Sequence, residues 1–215
     1  MSGSSSTRAE HAIDFDGLTI RFDDRVLRPR PWTVAQSRWA AALLADLPPG
    51  PVLELCAGAA QIGLAAVAGS RRRLLCVDRD PVASAFAAVN ARGAGLTAYV
   101  EVRTAAMTEA LTADETFVLV IADPPWVRRD ETGRYPEDPL TAIDGGPDGL
   151  DVARECLEVI GVHLAPGGVA LMQLGAEGQV VALENEIASA GLRTAEVRGF
   201  DAGVVVRLGP AAGPG

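Results

Sequence analysis

Lysine is missing from this 215-residue chain, and all 19 basic residues are arginine. That excludes a reaction running through a lysine Schiff base, and a phosphate loop that reaches its ligand with a lysine. Histidine is nearly missing too: the two present, His11 and His163, stand far apart. Neither a histidine metal centre nor a Ser-His-Asp triad is expected from two such isolated residues, and no metal is expected. The three cysteines, Cys56, Cys76 and Cys156, are odd in number and widely spaced, with no CxxC pair. They read as reduced, buried thiols of a cytoplasmic protein, not as a disulfide framework or a zinc site. No apolar run is long enough to span a bilayer, and the leading MSGSSSTRAEH has no hydrophobic signal core. A net charge of −9 leaves little positive surface for extended nucleic acid. The one local cluster, Arg128, Arg129 and Arg134, reads as a solvated loop balanced by acids.

What is present is a core. Hydrophobic residues make up 48% of the chain, and its length fits one domain. We expect a disordered lead over residues 1–12, a single domain over 13–209 and a flexible tail over 210–215. Residues 17–27 suggest a hairpin turning at Asp23-Asp24. Residues 33–47 suggest a helix capped by Thr33 and stopped by Pro48-Pro49. Strands and helices then alternate. Apolar strands are expected at PVLELCAG, RRLLCVD, LTAYVEVR, TFVLVIAD and GVALMQLG. Helices are expected after the first and second of these, at LDVARECLEVIGVHL and at EGQVVALENEIASAG, with two antiparallel strands closing the chain. Such alternation implies a parallel sheet with helices on both faces, and ligands bound at the carboxyl ends of its strands.

The strand ends carry the chemistry. Glu54, Cys56, Ala57 and Gly58 follow the first strand, where small residues let backbone approach a ligand. The single glycine does not make the GxGxxG that a pyrophosphate wants. An acid at the loop entrance suits a cationic ligand, with Glu54 facing the amino group and sulfonium of S-adenosylmethionine. Asp78 ends the second strand and can accept both hydroxyls of an adenosine ribose, because Asp80, directly before Pro81, caps the next helix. The fourth strand runs into Asp123-Pro124-Pro125-Trp126. Two prolines hold this backbone extended and remove two N–H donors. The Asp123 side chain and the Pro124 carbonyl are then acceptors for the two protons of an NH₂ group. Trp126 offers a flat wall whose π face favours positive charge developing on nitrogen.

With that loop read, the chain resembles the HemK/PrmC family of protein-(glutamine-N5) methyltransferases, which carries Asn-Pro-Pro-Tyr where this chain has Asp123 to Trp126. The stretch Pro136 to Asp151, with Gly145-Gly146-Pro147-Asp148-Gly149-Leu150-Asp151 and then Arg154, is similar to the family's E-P-x-x-A-L-x-G-G-x-D-G-L-x-x-x-R. Leu164-Ala165-Pro166-Gly167-Gly168, Gln173-Leu174-Gly175 and Val26 to Thr33 also match its segments, so the likeness covers about residues 17–208.

The resemblance implies a Rossmann-like class I methyltransferase fold. That is a mostly parallel seven-stranded sheet with an antiparallel C-terminal strand, here preceded by a short hairpin. It implies S-adenosylmethionine as cofactor, held by Glu54, Cys56, Ala57, Gly58, Asp78, Arg79, Ala106, Met107 and Asp123. Asp123, Pro124, Pro125 and Trp126 would be the catalytic set, and a protein glutamine the methyl acceptor. The departures bear on the acceptor. Asp123 stands for Asn, Trp126 for Tyr, Gln173 for Glu, and Ala105 or Ala106 for an acid that would hold the adenine amino group. These 215 residues have no room for the family's helical N-terminal domain. An Asp in the first motif position also resembles enzymes that methylate nucleobase amines, so an amine of a small molecule or nucleobase is the alternative acceptor. Residues 128–148 are expected to form a lid over it.

Overall fold

The computed structural model describes residues 9–200 and 202–211. Nine strands and seven helices are named here in chain order. An N-terminal hairpin, β1 (His11–Phe15) and β2 (Leu18–Phe22), leads through a 3-10 turn at Pro31–Thr33 into α1 (Val34–Asp46). Then follow β3 (Val52–Leu55), α2 (Gln61–Val67), β4 (Leu74–Asp78), α3 (Pro81–Gly93), β5 (Val100–Thr104) and β6 (Phe117–Ala122). The second half holds α4 (Leu140–Ile143), α5 (Asp151–His163), β7 (Leu164–Leu174), α6 (Glu177–Ala182), α7 (Glu184–Ser189), β8 (Leu192–Phe200) and β9 (Gly203–Pro210).

Seven strands form one sheet in the order β5-β4-β3-β6-β7-β9-β8. Only β9 runs against its neighbours. The middle strands explain the architecture. VLEL and FVLVIA are buried at every position. Unbroken burial is the mark of a strand covered on both faces, which a parallel sheet requires. Helix α5 shows the complementary pattern. It buries Ala153, Cys156, Leu157 and Ile160 at spacings of three and four, one stripe against the sheet.

The order reverses between β3 and β6. From β3 the chain builds outward through β4 to β5, then returns to lay β6 on the other side. Loops leaving β3 and β6 therefore part company and open a crevice at their carboxyl ends. Parallel register sets Leu55 opposite both Val77 and Ala122, so residues 56, 78 and 123 leave the sheet at one level.

The structure corrects several boundaries. The hairpin lies earlier than expected and turns at Asp16-Gly17, both at positive φ (53° and 84°), as a tight two-residue hairpin turn needs. Asp23-Asp24 lies beyond it. Strand β1 already includes His11 and Ala12, the last two residues of the expected lead, and residues 1–8 lie outside the described residues. The expected tail overlaps the end of β9 at Pro210, and residues 212–215 are likewise outside. Thr33 does not cap α1 with its side chain; its hydroxyl donates instead to the Arg30 carbonyl (2.8 Å), continuing the 3-10 turn. The third core strand begins only at Val100, because Leu96–Tyr99 turns upon itself. The helix expected after β7 is two short ones meeting at Leu183.

Asn90 of α3 joins the hairpin to this frame. Its amide donates to the carbonyls of Arg21 (3.0 Å) and Ala59 (2.9 Å) and accepts from Arg21 N (2.8 Å), while the residue is 1% exposed. A buried amide so fully used is expensive to remove, because its partners are left without water or a replacement. Asn90→Ala is expected to lower unfolding free energy by about 2–3 kcal/mol in denaturant titration. A loss below about 0.5 kcal/mol, the range of ordinary surface substitutions, would show that this amide does not hold the hairpin.

Candidate active site

The loop after β3 is wound tightly. Cys56, Gly58 and Ala60 all sit at positive φ (54°, 55° and 61°), two of them against the preference of an L-residue. The strand side holds this conformation. Ala57 N donates to the Val77 carbonyl (3.1 Å), and Gly58 N donates to Asp78 Oδ2 (2.7 Å). Asp78 Oδ1 meanwhile accepts from Asp80 N (2.8 Å). Asp80 caps α3 by accepting from Val82 N (2.8 Å), as its place before Pro81 suggested. Asp78 is thus not idle: it fixes the loop. Each carboxylate oxygen keeps a second lone pair, and the side chain lines a cavity. Burial pushes its pKa up.

That first cavity encloses about 1030 Å³ of empty space, part of it open to solvent. Of the residues anticipated, Cys56, Ala57, Gly58, Asp78, Arg79, Ala106, Met107 and Asp123 line it. Glu54 does not. Its side chain turns beneath α2, 2% exposed, where it accepts from Gly63 N (2.8 Å) and lies 3.5 Å from the Cys76 sulfur. Burial pushes its pKa up to about 8. An acid in this position anchors a helix to a strand and lies outside the cavity lining. Gln61, Thr141 and Glu155 also line the cavity and were not anticipated, having no spacing signal.

A second cavity, about 860 Å³ of empty space, lies on the other side of the Asp-Pro-Pro-Trp loop. Pro124, Pro125 and Trp126 line it together with Trp32 and Tyr135. Asp123 borders both cavities. It makes no hydrogen bond to any described residue, and desolvation alone pushes its pKa up to about 7.

The Gly-Gly-Pro-Asp-Gly-Leu-Asp stretch is the cradle of this loop. Val127 N donates to the Ile143 carbonyl (3.0 Å), and Gly145 N donates back to the Val127 carbonyl (2.9 Å). Gly149, at φ +80°, packs so closely that a Cβ there would lie 2.6 Å from the Trp126 carbonyl. That carbonyl accepts from Gln179 Nε2 (3.0 Å). The indole of Trp126 rests on Gly175, where a Cβ would come within 2.4 Å of the ring. Arg154 then ties the stretch down, reaching Asp148 (2.7 Å) and Glu186 (3.0 Å).

Residues 128–148 are not structureless. They contain a 3-10 segment at Arg129–Arg134 and α4. The three arginines are paired within the segment, Arg128 with Asp130, Arg129 with Asp144 and Arg134 with Glu131, as a self-neutralised surface would be. Across the second cavity Asp138 pairs with Arg30, whose guanidinium stands 5.5 Å from the Trp32 ring. Arg30 and Trp32 fall in the Val26 to Thr33 run that matched by sequence, so a signal for them existed. Among the described residues no helix is long and apolar enough to cross a membrane, and no group of three His, Cys, Asp or Glu is placed to hold a metal ion.

Residues 17–135 match the family model described as Conserved hypothetical protein 95. The release factor glutamine methyltransferase of Clostridium acetobutylicum is 28% identical over 171 residues, 76% of this chain and 60% of that protein. That of Cereibacter sphaeroides is 33% identical over 175 residues, 78% and 61% of the two chains. The chain therefore spans about 60% of the length of these curated relatives. Among solved structures, the ribosomal protein L11 methylase from Lactobacillus delbrueckii subsp. bulgaricus superposes with a TM-score of 0.66 at 12% identity, covering 88% of this chain and 84% of that one. The resemblance drawn from the Asp123 loop and the Gly145 to Asp151 stretch is borne out by these relatives, and the fold by that structure. With residues 17–135 of 215 inside the family match, the chain belongs to the Conserved hypothetical protein 95 family and has the Rossmann-like class I methyltransferase fold.

Proposed function

We propose that this chain is an S-adenosylmethionine-dependent N-methyltransferase acting on the side-chain amide of a protein glutamine. The observation that carries the reading is that Asp123, the one ionisable residue among the four (Leu27, Asp123, Pro125 and Ala142) that border both cavities, stands where a donor in one and an acceptor in the other would meet. The names of the sequence relatives supply the glutamine.

The first cavity suits the cofactor. Asp78 retains lone pairs for ribose hydroxyls. Met107, Ala83 and Ala105 offer an apolar wall for a planar base. Gln61 Oε1 is buried without a hydrogen-bond partner among the described residues, an acceptor left for a ligand donor. Glu54, expected to face the amino group, is replaced in the lining by Asp80 and Glu155. Bound there, S-adenosylmethionine supplies an electrophilic methyl group on a sulfonium sulfur, which ends as a neutral thioether.

The chain's own residues do the positioning. Asp123 and the Pro124 carbonyl hold the acceptor nitrogen through its N–H groups, aiming its lone pair at the first cavity. On taking the methyl group the acceptor nitrogen would shed one proton, which passes to solvent water at the open side of the first cavity. Trp126 walls off water and favours the positive charge passing over its face.

Calorimetry with S-adenosylmethionine should show binding that weakens about 10- to 100-fold in Asp78→Ala, the worth of one or two hydrogen bonds to a charged acceptor. A wild type that prefers NAD overturns the cofactor assignment. Gly175→Ala should push the indole of Trp126 and lower turnover by up to ~100-fold with cofactor affinity little changed. Equal loss of both would mean that Gly175 serves the fold. Radiolabelled methyl transfer should go to a release factor bearing a Gly-Gly-Gln loop; label appearing only in RNA, or only in small molecules of a cell extract, removes the glutamine reading.

A further inference from the structure

We infer that Asp123 receives its acceptor as a carboxylic acid, offering a carboxamide one O–H donor and one C=O acceptor. This rests on the N-methyl transfer reading of the same site. A side-chain amide carries a donor and an acceptor on neighbouring atoms. Asparagine, which the resembling family has here, matches it with an N–H and a C=O. A carboxylate matches only half: it accepts from the NH₂ group but confronts the amide oxygen with a second oxygen. One proton on the carboxyl restores the complementary pair.

The surroundings favour that proton. Asp123 has no hydrogen bond from any described residue, whereas Asp78 in the same cavity accepts from two backbone N–H groups. The next two residues are Pro124 and Pro125, so the backbone that follows offers it no donor. Of the guanidiniums lining the two cavities, Arg30 pairs with Asp138, Arg25 pairs with Asp23, and Arg79 acts on Asp78. Of the other titratable groups, Asp78, Asp80, Glu155, Arg79 and the Cys56 thiol line the first cavity, Asp138 and the phenol of Tyr135 line the second, and Glu54 lies behind the strand. Neighbouring acids in a poorly hydrated space resist simultaneous ionisation. Burial already pushes Asp123 up to about 7 and Glu54 to about 8.

The sign of the pH dependence separates the two kinds of acceptor. A carboxamide needs the protonated form, so its methylation falls as pH rises through the Asp123 titration. An amine or amino-heterocycle needs only an acceptor, so its methylation rises. The experiment has two arms on the full chain with S-adenosylhomocysteine or S-adenosylmethionine present. In the first, ¹³C NMR of aspartate-labelled protein follows the carboxyl resonance that disappears in Asp123→Asn. A midpoint above about 6 is expected, and one at or below about 4, the ordinary carboxylate value, overturns the inference. In the second, methyl transfer to the release factor should be about tenfold faster at pH 6 than at pH 8, following the protonated fraction of a group titrating near 7. In Asp123→Asn that ratio should approach one. A rate rising with pH in the wild type overturns the inference, as does an Asp123→Asn variant that binds cofactor but transfers nothing. No transfer to the release factor at any pH sinks the glutamine reading alone, and the NMR midpoint still decides the state of Asp123.

Discussion

The pairing of β3 with β6 is the constraint on which the rest of the molecule depends. These strands lie side by side although four other elements, α2, β4, α3 and β5, separate them in sequence. Their parallel register puts Leu55 opposite Ala122, so the tight loop at 56–60 and the proline loop at 123–126 emerge together. A slip of one residue would turn every side chain of one strand to the other face. The crevice exists because the order reverses here, and both cavities open from it. Gln36 of α1 ties β6 to β7, donating to the carbonyls of Ala122 (3.0 Å) at the end of β6 and Leu171 (3.2 Å) within β7.

Around that crevice the polar groups fall into two kinds. Some are spent on structure. Glu54 holds α2 through Gly63, Asp80 caps α3, and Asn90 joins the hairpin to the first loop. Others keep unused capacity toward a cavity. Asp78 has spare lone pairs after fixing Gly58, and neither Gln61 Oε1 nor the Asp123 carboxyl has a hydrogen-bond partner among the described residues. Burial without a partner is costly for a polar atom, so such atoms mark where a ligand would gain most.

Particular residues show what was legible in the sequence. The doubly wound sheet followed from alternating apolar strands and helices, and the site from Asp78 and Asp123 at strand ends. The Asp80-Pro81 cap was readable because its chemistry is local. Glu54 was not, because position alone places an acid near the loop, while its direction depends on which face of β3 it occupies and on the closeness of Gly63. The hairpin was misplaced because Asp23-Asp24 has turn-forming composition, yet Asp16-Gly17 has the residues that accept positive φ. The break at Leu183 left no mark, since neither glycine nor proline announces it. The second cavity was legible only in part. Its floor is the Asp-Pro-Pro-Trp motif, but Trp32 and Arg30 reach it from a segment about ninety residues earlier, a distance that no local pattern spans.

The seating of Trp126 has an entropic consequence. Its indole rests on bare backbone at Gly175, and its carbonyl is held by Gln179. Pro124 and Pro125 before it have little backbone freedom of their own. Ordering a free residue costs on the order of 1–2 kcal/mol in backbone terms, and here that loss falls on folding. The wall of the second cavity is therefore shaped before any guest arrives. What an incoming chain must still give up is its own freedom, so a segment already rigid would bind this face better than a loose one of the same composition.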